Sequence, residues 1–182
     1  AIFRAGIRQL LPKNIELVSG PGCPVCVTAD DYIDKAIAYS QQNFIIATFG
    51  DMLKVPGSQS SLANAQAEGA EIKIVYSPLD CIKLAQDNPH KKIIFLAVGF
   101  ETTAPTAAAT VLAAKSQGVK NLFMLSAQKL VPPALKFLLN DAQVKVDGFL
   151  LPGHVAVVIG AEAFKFLAED FKIPSAIGGF EA

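Results

Sequence analysis

KKIIFLAVGFETTAPTAAATVLAAKSQG, residues 91–118, decides the fold. Its first eight residues, KKIIFLAV (91–98), end in an unbroken apolar run rich in Ile, Phe and Val. Such a run suits a strand covered on both faces, as in a parallel sheet. A polar break follows at Glu101-Thr102-Thr103, and the Ala-rich stretch from Ala104 to Gln117 reads as a helix closed by Gly118. Gly there tolerates the left-handed backbone that ends helices. The unit is strand, polar turn, helix.

The same unit recurs along the chain. Candidate strands are IELVS (15–19), FIIATF (44–49), EIKIVY (71–76), NLFMLS (121–126), VDGFLL (146–151) and PSAIGG (174–179). Helical signals lie between them. ADDYIDKAIAYSQQ follows Thr28 and sets Ile33, Ala36, Ile37 and Ser40 on one side, with Asp31 three residues beyond a Thr cap. Ser77-Pro78-Leu79-Asp80 starts another helix, with Pro in the first turn. In 161–171, Phe164, Leu167, Ala168 and Phe171 make a core stripe. Repeated β-α units predict an α/β protein, two lobes of parallel Rossmann-like layers facing a cleft. The polar break at ETTAP puts the boundary near Thr103, giving lobes 1–103 and 104–182.

Composition bounds the function. The chain has 182 residues, 52% apolar and 18% charged, with 16 basic residues balancing 16 acidic ones. No basic cluster is longer than Lys91–Lys92, so a nucleic-acid or membrane-surface role lacks an electrostatic footprint. No apolar run nears the ~18 residues that span a bilayer. The opening AIFRAGIRQLLP lacks the pattern of a signal peptide and starts without Met inside an amphipathic pattern, which suggests an excised fragment. Three cysteines, two of them close together, argue against a secreted disulfide framework and for a reducing cytoplasm.

The chemistry-bearing residues cluster after strands. The first candidate strand ends in GPGCPVC (20–26), the second in Gly50-Asp51, the fourth in Gly99-Phe100-Glu101-Thr102-Thr103 and the sixth in Pro152-Gly153-His154. Ligands of parallel α/β sheets bind at these carboxyl ends. Cys23 and Cys26 are spaced to close a disulfide or to share one metal. Pro24 stiffens their loop, and a helix beginning shortly after Cys26 would aim its dipole at a thiolate. Buried inert thiols would not need Pro and Gly on both sides. A structural zinc site would need two more ligands, yet neither a second CxxC nor an HxxxH pair is present. Glu101 by itself reads as a cap or solvated loop residue, Asp51 as a turn residue and Cys81 as core. His154 is equally suited to loop packing and to metal chemistry. Phosphate binding fits poorly, because GPGCPVC matches no P-loop and Pro24 removes an amide.

Together GPGCPVC (20–26), GDMLKVPGS (50–58), GFETTAP (99–105), KLVPPA (129–134) and LPGHV (151–155) resemble, in order, the motifs of the HypD family of hydrogenase maturation proteins. The resemblance implies a scaffold that, with a HypC-type small chaperone, holds iron while the Fe(CN)2CO unit of [NiFe]-hydrogenases is built, a HypE-type protein donating cyanide. By matching motif, Cys23 and Cys26 would be a redox thiol pair, and Glu101, Thr102, Thr103, Gly153 and His154 would line the assembly site. Cys23, Cys26 and His154 are candidate metal contacts. The family's iron-holding Cys segment and its [4Fe-4S] domain would lie beyond the two ends of this chain, so the 182 residues alone are expected to be incompetent for maturation. Ala29 and Ala156 depart from the family pattern, which has Pro and Ser there. The rival readings are a thioredoxin-type oxidoreductase, a sugar- or nucleotide-binding α/β module with a structural CxxC, and a structural zinc site.

Overall fold

The computed structural model describes residues 6–20 and 22–179. The chain divides into two compact units, Cys23–Lys129 and Leu130–Ala182 with Ala1–Gly22. Thr103, the expected boundary, directly precedes a helix of the first unit.

In the first unit, helix α2 (Asp30–Ser40) leads into strand β1 (Ile45–Thr48), a 3₁₀ turn (Gly50–Lys54) and helix α3 (Leu62–Ala67). Strand β2 (Ile72–Ile74), helix α4 (Asp80–Asp87), strand β3 (Ile93–Gly99), helix α5 (Ala104–Ser116) and strand β4 (Leu122–Gln128) complete it. The four strands form one parallel sheet in the order β2-β1-β3-β4. This is the α/β architecture that the repeated units predict.

Burial explains why the strands read as continuous apolar runs. All seven residues of β3 are buried. Alternate side chains of a strand point to opposite faces. Accordingly Ile94, Leu96 and Val98 join Ile46 and Ile72 against Ile33 and Ala36 of α2, Met52, and Leu62 and Ala65 of α3. Ile93, Phe95 and Ala97 join Ile45, Ala47 and Val75 against Cys81 and Ala85 of α4 and Ala107 of α5. Phe49 meets Phe95 edge-on, with ring centroids 5.4 Å apart.

Polar side chains pin the corners. The Asn121 amide donates to the carbonyls of Ala85, Asn88 and Lys91 at 2.9–3.0 Å, tying the end of α4 to the starts of β3 and β4. Asp34 of α2 accepts from the amide and hydroxyl of Ser58, clasping the bend that the Gly57 amide closes onto the Ser60 carbonyl. The Tyr32 hydroxyl donates to the Leu125 carbonyl at 2.6 Å, fixing the first turn of α2 to β4.

The second unit holds helix α6 (Val131–Leu139), strand β5 (Phe149–Pro152), helix α7 (Gly153–Ile159), a 3₁₀ turn (Ala161–Phe164), helix α8 (Phe166–Glu169) and strand β6 (Ser175–Gly178). The four-residue helix α1 (Ile7–Leu10) is grouped with it. β5 and β6 pair in parallel. Leu135, Leu151, Val155, Phe164, Phe166 and Leu167 make its core, and the Lys136 ammonium lies 4.6 Å from the Phe166 ring centroid.

Three expectations are corrected. IELVS (15–19) is not a strand. Among the described residues it gains no ladder partner, and Ile15 and Val18 are 48% and 73% exposed, so no burial rewards an extended pairing. The 161–171 segment is not one helix but breaks at Lys165, because a 3₁₀ turn and a short α-helix bring Phe164, Phe166 and Leu167 inward and leave Ala168 exposed. Thr28 does not cap α2. Its hydroxyl donates instead to the Pro24 carbonyl at 2.9 Å, and Ala29 occupies the cap position.

Phe95 is fully buried between the central strands and the α4–α5 layer. Phe95→Ala is expected to lower unfolding stability by about 3–5 kcal/mol, read as a shifted denaturant midpoint at unchanged slope.

Candidate functional site

A parallel sheet places all its strand ends of one kind on one side. The order β2-β1-β3-β4 reverses direction between β1 and β3, and crevices at such reversals receive ligands outside the carboxyl ends. Gly50-Asp51 follows β1 and Phe100–Thr103 follows β3, so both loops flank that reversal. Helix α2 joins β1 through only Gln41–Phe44 and runs back along the sheet. Its eleven residues cover about 16 Å, which returns its N-terminus to the same carboxyl end. The Cys23–Cys26 loop immediately precedes it.

That loop is a tight turn over Pro24–Val27. The Cys23 and Cys26 sulfurs are joined in a disulfide with Cα atoms 5.3 Å apart, inside the ordinary range for such a bridge. The Cys26 amide donates to Cys23 Sγ at 3.1 Å, and the Thr28 amide donates to the Val25 carbonyl at 3.2 Å. Val25, between the two cysteines, packs on the α2–α3 side of the core. Cys23 is half-buried and Cys26 exposed. The disulfide thus reaches solvent while its loop is anchored from inside.

The loop after β3 is set by close approach. A Cβ on Gly99 would stand 2.5 Å from Thr103 Cβ, so only glycine lets α5 begin this near the strand. The Thr103 and Ala104 amides donate to the Phe100 carbonyl at 2.9 and 3.1 Å. Glu101 is 4% exposed, which excludes the solvated half of its expected place as a cap or solvated loop residue, whereas Thr102 is exposed and Thr103 half-buried. A carboxylate this enclosed must be hydrogen-bonded or paired, and Glu101 does take part in an interaction. Asp51 is exposed in its 3₁₀ turn, and the neighbouring Met52 is fully buried as its anchor.

The first unit therefore carries Cys23, Cys26, Glu101, Thr102 and Thr103 at one end of one sheet. Gly153 and His154 belong to the second unit. They form the first turn of α7 and not an irregular loop. A Cβ on Gly153 would lie 2.6 Å from the Gly178 carbonyl oxygen, so this glycine lets α7 start directly against β6. His154 is exposed and has an interaction of its own. Among the described residues no three His, Cys, Asp or Glu side chains gather as a metal site. A [4Fe-4S] cluster held by four thiolates does not fit this chain, which has three cysteines, one of them sealed in the core.

Sequence reasoning missed the clasps that hold these loops: Asp34 on Ser58, Tyr32 on Leu125, and Val25 in the core. Only Val25 carried a signal, as the apolar residue inside an otherwise turn-forming run. The thioredoxin-type rival expects the thiol pair to open a helix, but here α2 begins only at Asp30, after an intervening turn.

An α/β chain with a core-anchored cysteine pair at the carboxyl end of its parallel sheet is the class of protein defined so far. A family model described as "HypD: Hydrogenase formation hypA family" matches residues 1–182. The chain is 47% identical over 182 residues to hydrogenase maturation factor HypD of Escherichia coli K12, covering 100% of this chain and 49% of that protein. It is 42% identical over 182 residues to HypD of Rhodobacter capsulatus, covering 100% and 48%. A putative hydrogenase expression/formation protein of Methanocaldococcus jannaschii is 45% identical over 180 residues, covering 99% and 50%. The chain belongs to the HypD family. It spans about half the length of these relatives. No helix among the described residues is long and apolar enough to cross a membrane.

Two predictions follow from the geometry. Burial, with Asp80 adding to it, pushes the Cys81 thiol up to about 12, so at neutral pH the reduced native chain should react with an alkylating reagent at two cysteines and at the third only after unfolding. Mass spectrometry of the alkylated chain counts them. Gly99→Ala should destabilise by about 1–3 kcal/mol through overpacking. Adding Thr103→Gly should recover much of that loss and Thr103→Ala should not, since the obstructing atom is the Thr103 Cβ itself.

Proposed function

We infer that this chain is the thiol-bearing part of a hydrogenase maturation scaffold on which a low-valent iron carrying cyanide and carbon monoxide ligands is assembled. The observation that carries the reading is the Cys23–Cys26 disulfide on a core-anchored loop, at the same sheet end as the buried Glu101. The names of the relatives, hydrogenase maturation factors, support the biological setting.

On this reading iron is cargo and the cysteines are its electron supply. Two thiols that close into one disulfide release two electrons and two protons, and a further redox centre must reopen the bond before the next round. Soft thiolates suit low-valent iron better than carboxylates alone. Glu101, Thr102 and Thr103 would shape the polar wall of the site, the two threonine hydroxyls donating hydrogen bonds to cyanide nitrogens. A HypC-type chaperone would bring or share the iron, a HypE-type protein would donate cyanide, and the work would take place in the reducing cytoplasm.

The test is a chimera. Residues 1–182 replace the matching half of the E. coli relative in cells lacking that protein, and hydrogenase activity is measured. The chimera should restore activity, and Cys23→Ser with Cys26→Ser should abolish it, by at least about tenfold, while the protein still accumulates. Anaerobic iron binding to the purified chimera separates the two roles: iron that binds but is not converted points to electron supply. Activity that survives loss of both sulfurs would remove their assigned role.

A further inference from the structure

The sheet of the first unit has two edges, and they are protected unequally. β2 is three residues long and carries Lys73 at its centre, a short charged edge of the kind that resists pairing. β4 is seven residues, LFMLSAQ, with no charge and no proline. Its inner side is bonded to β3, with the Asn121 carbonyl accepting from the Ile93 amide at 2.8 Å and the Lys129 amide donating to the Gly99 carbonyl at 2.9 Å. In a parallel ladder alternate residues face the same neighbour, so Leu122, Met124 and Ser126 turn their amides and carbonyls away from β3. Among the described residues these outward groups have no backbone partner.

Beside this edge lies a shallow groove of about 310 Å³, with Val111, Ala114, Leu122 and Met124 as its apolar wall and Lys115 and Lys120 among its lining residues. Both lysines are exposed, and neither is in an ion pair among the described residues. The local charge is one-sided. Residues 102–129 include Lys115, Lys120 and Lys129 and no Asp or Glu, in a chain whose 16 positive and 16 negative residues cancel overall.

The geometry points to a docking edge for an acidic, extended segment of a partner protein, which adds to β4 as a fifth strand. Main-chain hydrogen bonds to Leu122 and Met124 provide the pairing, an apolar side chain fills the groove, and flanking carboxylates meet Lys115 and Lys120. This is the strand-addition mode of peptide recognition, in which backbone bonds give affinity and side-chain sites give specificity. Charge decides against a second copy of this chain, because pairing β4 with itself would bring two lysine-lined grooves together. This inference goes beyond the assembly of iron and does not depend on it.

The experiment uses the 182-residue chain and labelled seven-residue peptides of alternating Val and Thr, flanked either by Asp or by Lys, with binding read by fluorescence anisotropy at low salt. The Asp-flanked peptide should bind at least about tenfold more tightly than the Lys-flanked one. Lys115→Glu with Lys120→Glu, at two exposed positions and with the fold checked by circular dichroism, should invert that preference. N-methylation of alternate peptide amides should abolish binding in one register and spare it in the other. Equal binding of the two peptides, an unchanged preference in the double variant, indifference to methylation register, or no binding at millimolar peptide would overturn the proposal. A chain dimer dissolved by Met124→Lys in sedimentation would also overturn it, by identifying a second copy as the occupant.

Discussion

Seven consecutive buried residues, Ile93–Gly99, tie the two apolar layers of the first unit to each other. Because neighbouring side chains of a strand face opposite ways, one segment serves both helix layers, and neither layer has a core without it. The strand also fixes where the candidate site begins. Its last residue has no side chain, and that vacancy lets Thr103 and α5 close against the sheet. The enclosed Glu101 sits in the resulting turn, so stability and site geometry rest on the same backbone.

The parallel sheet was legible because burial on both faces imposes an apolar run too long and too β-branched for a loop. IIAT, IKI and IIFLAVG all became strands. IELVS carries a similar composition but found no neighbour, which no single stretch of sequence can reveal, since pairing is a property of two segments. Three short helices were overlooked for a different reason. α3 and α7 span six and seven residues, too few turns to show a clear period, and α6 has Pro132 and Pro133 in its first turn, where they read as a break although proline is tolerated there.

The candidate site was legible by position and not by environment. Glutamate and threonine placed just past a strand imply the carboxyl end of the sheet, and the turn after β3 holds them there; the cysteine loop follows no strand and reaches that end because α2 runs back along the sheet. Burial is a matter of neighbours, so a sequence that reads Glu101 by itself as a cap or solvated loop residue does not show that the turn encloses it. The thiol pair is the reverse case. Its Pro and Gly surroundings suggested an exposed turn, and the internal anchor, Val25, lies in the two residues usually regarded as spacers. On the proposed reading this arrangement matters chemically, since a loop held from inside can change redox state without giving up its place over the sheet.

Tyr32 has one more consequence. Its hydroxyl joins the helix that follows the disulfide to the backbone of β4, and burial holds its ionisation far above that of a free phenol. Loss of the proton in that bond is thereby displaced toward strongly alkaline conditions. Around neutral pH the strut between helix and strand has no acid–base trigger at this hydroxyl, and the helix it braces is the one that follows the sulfurs.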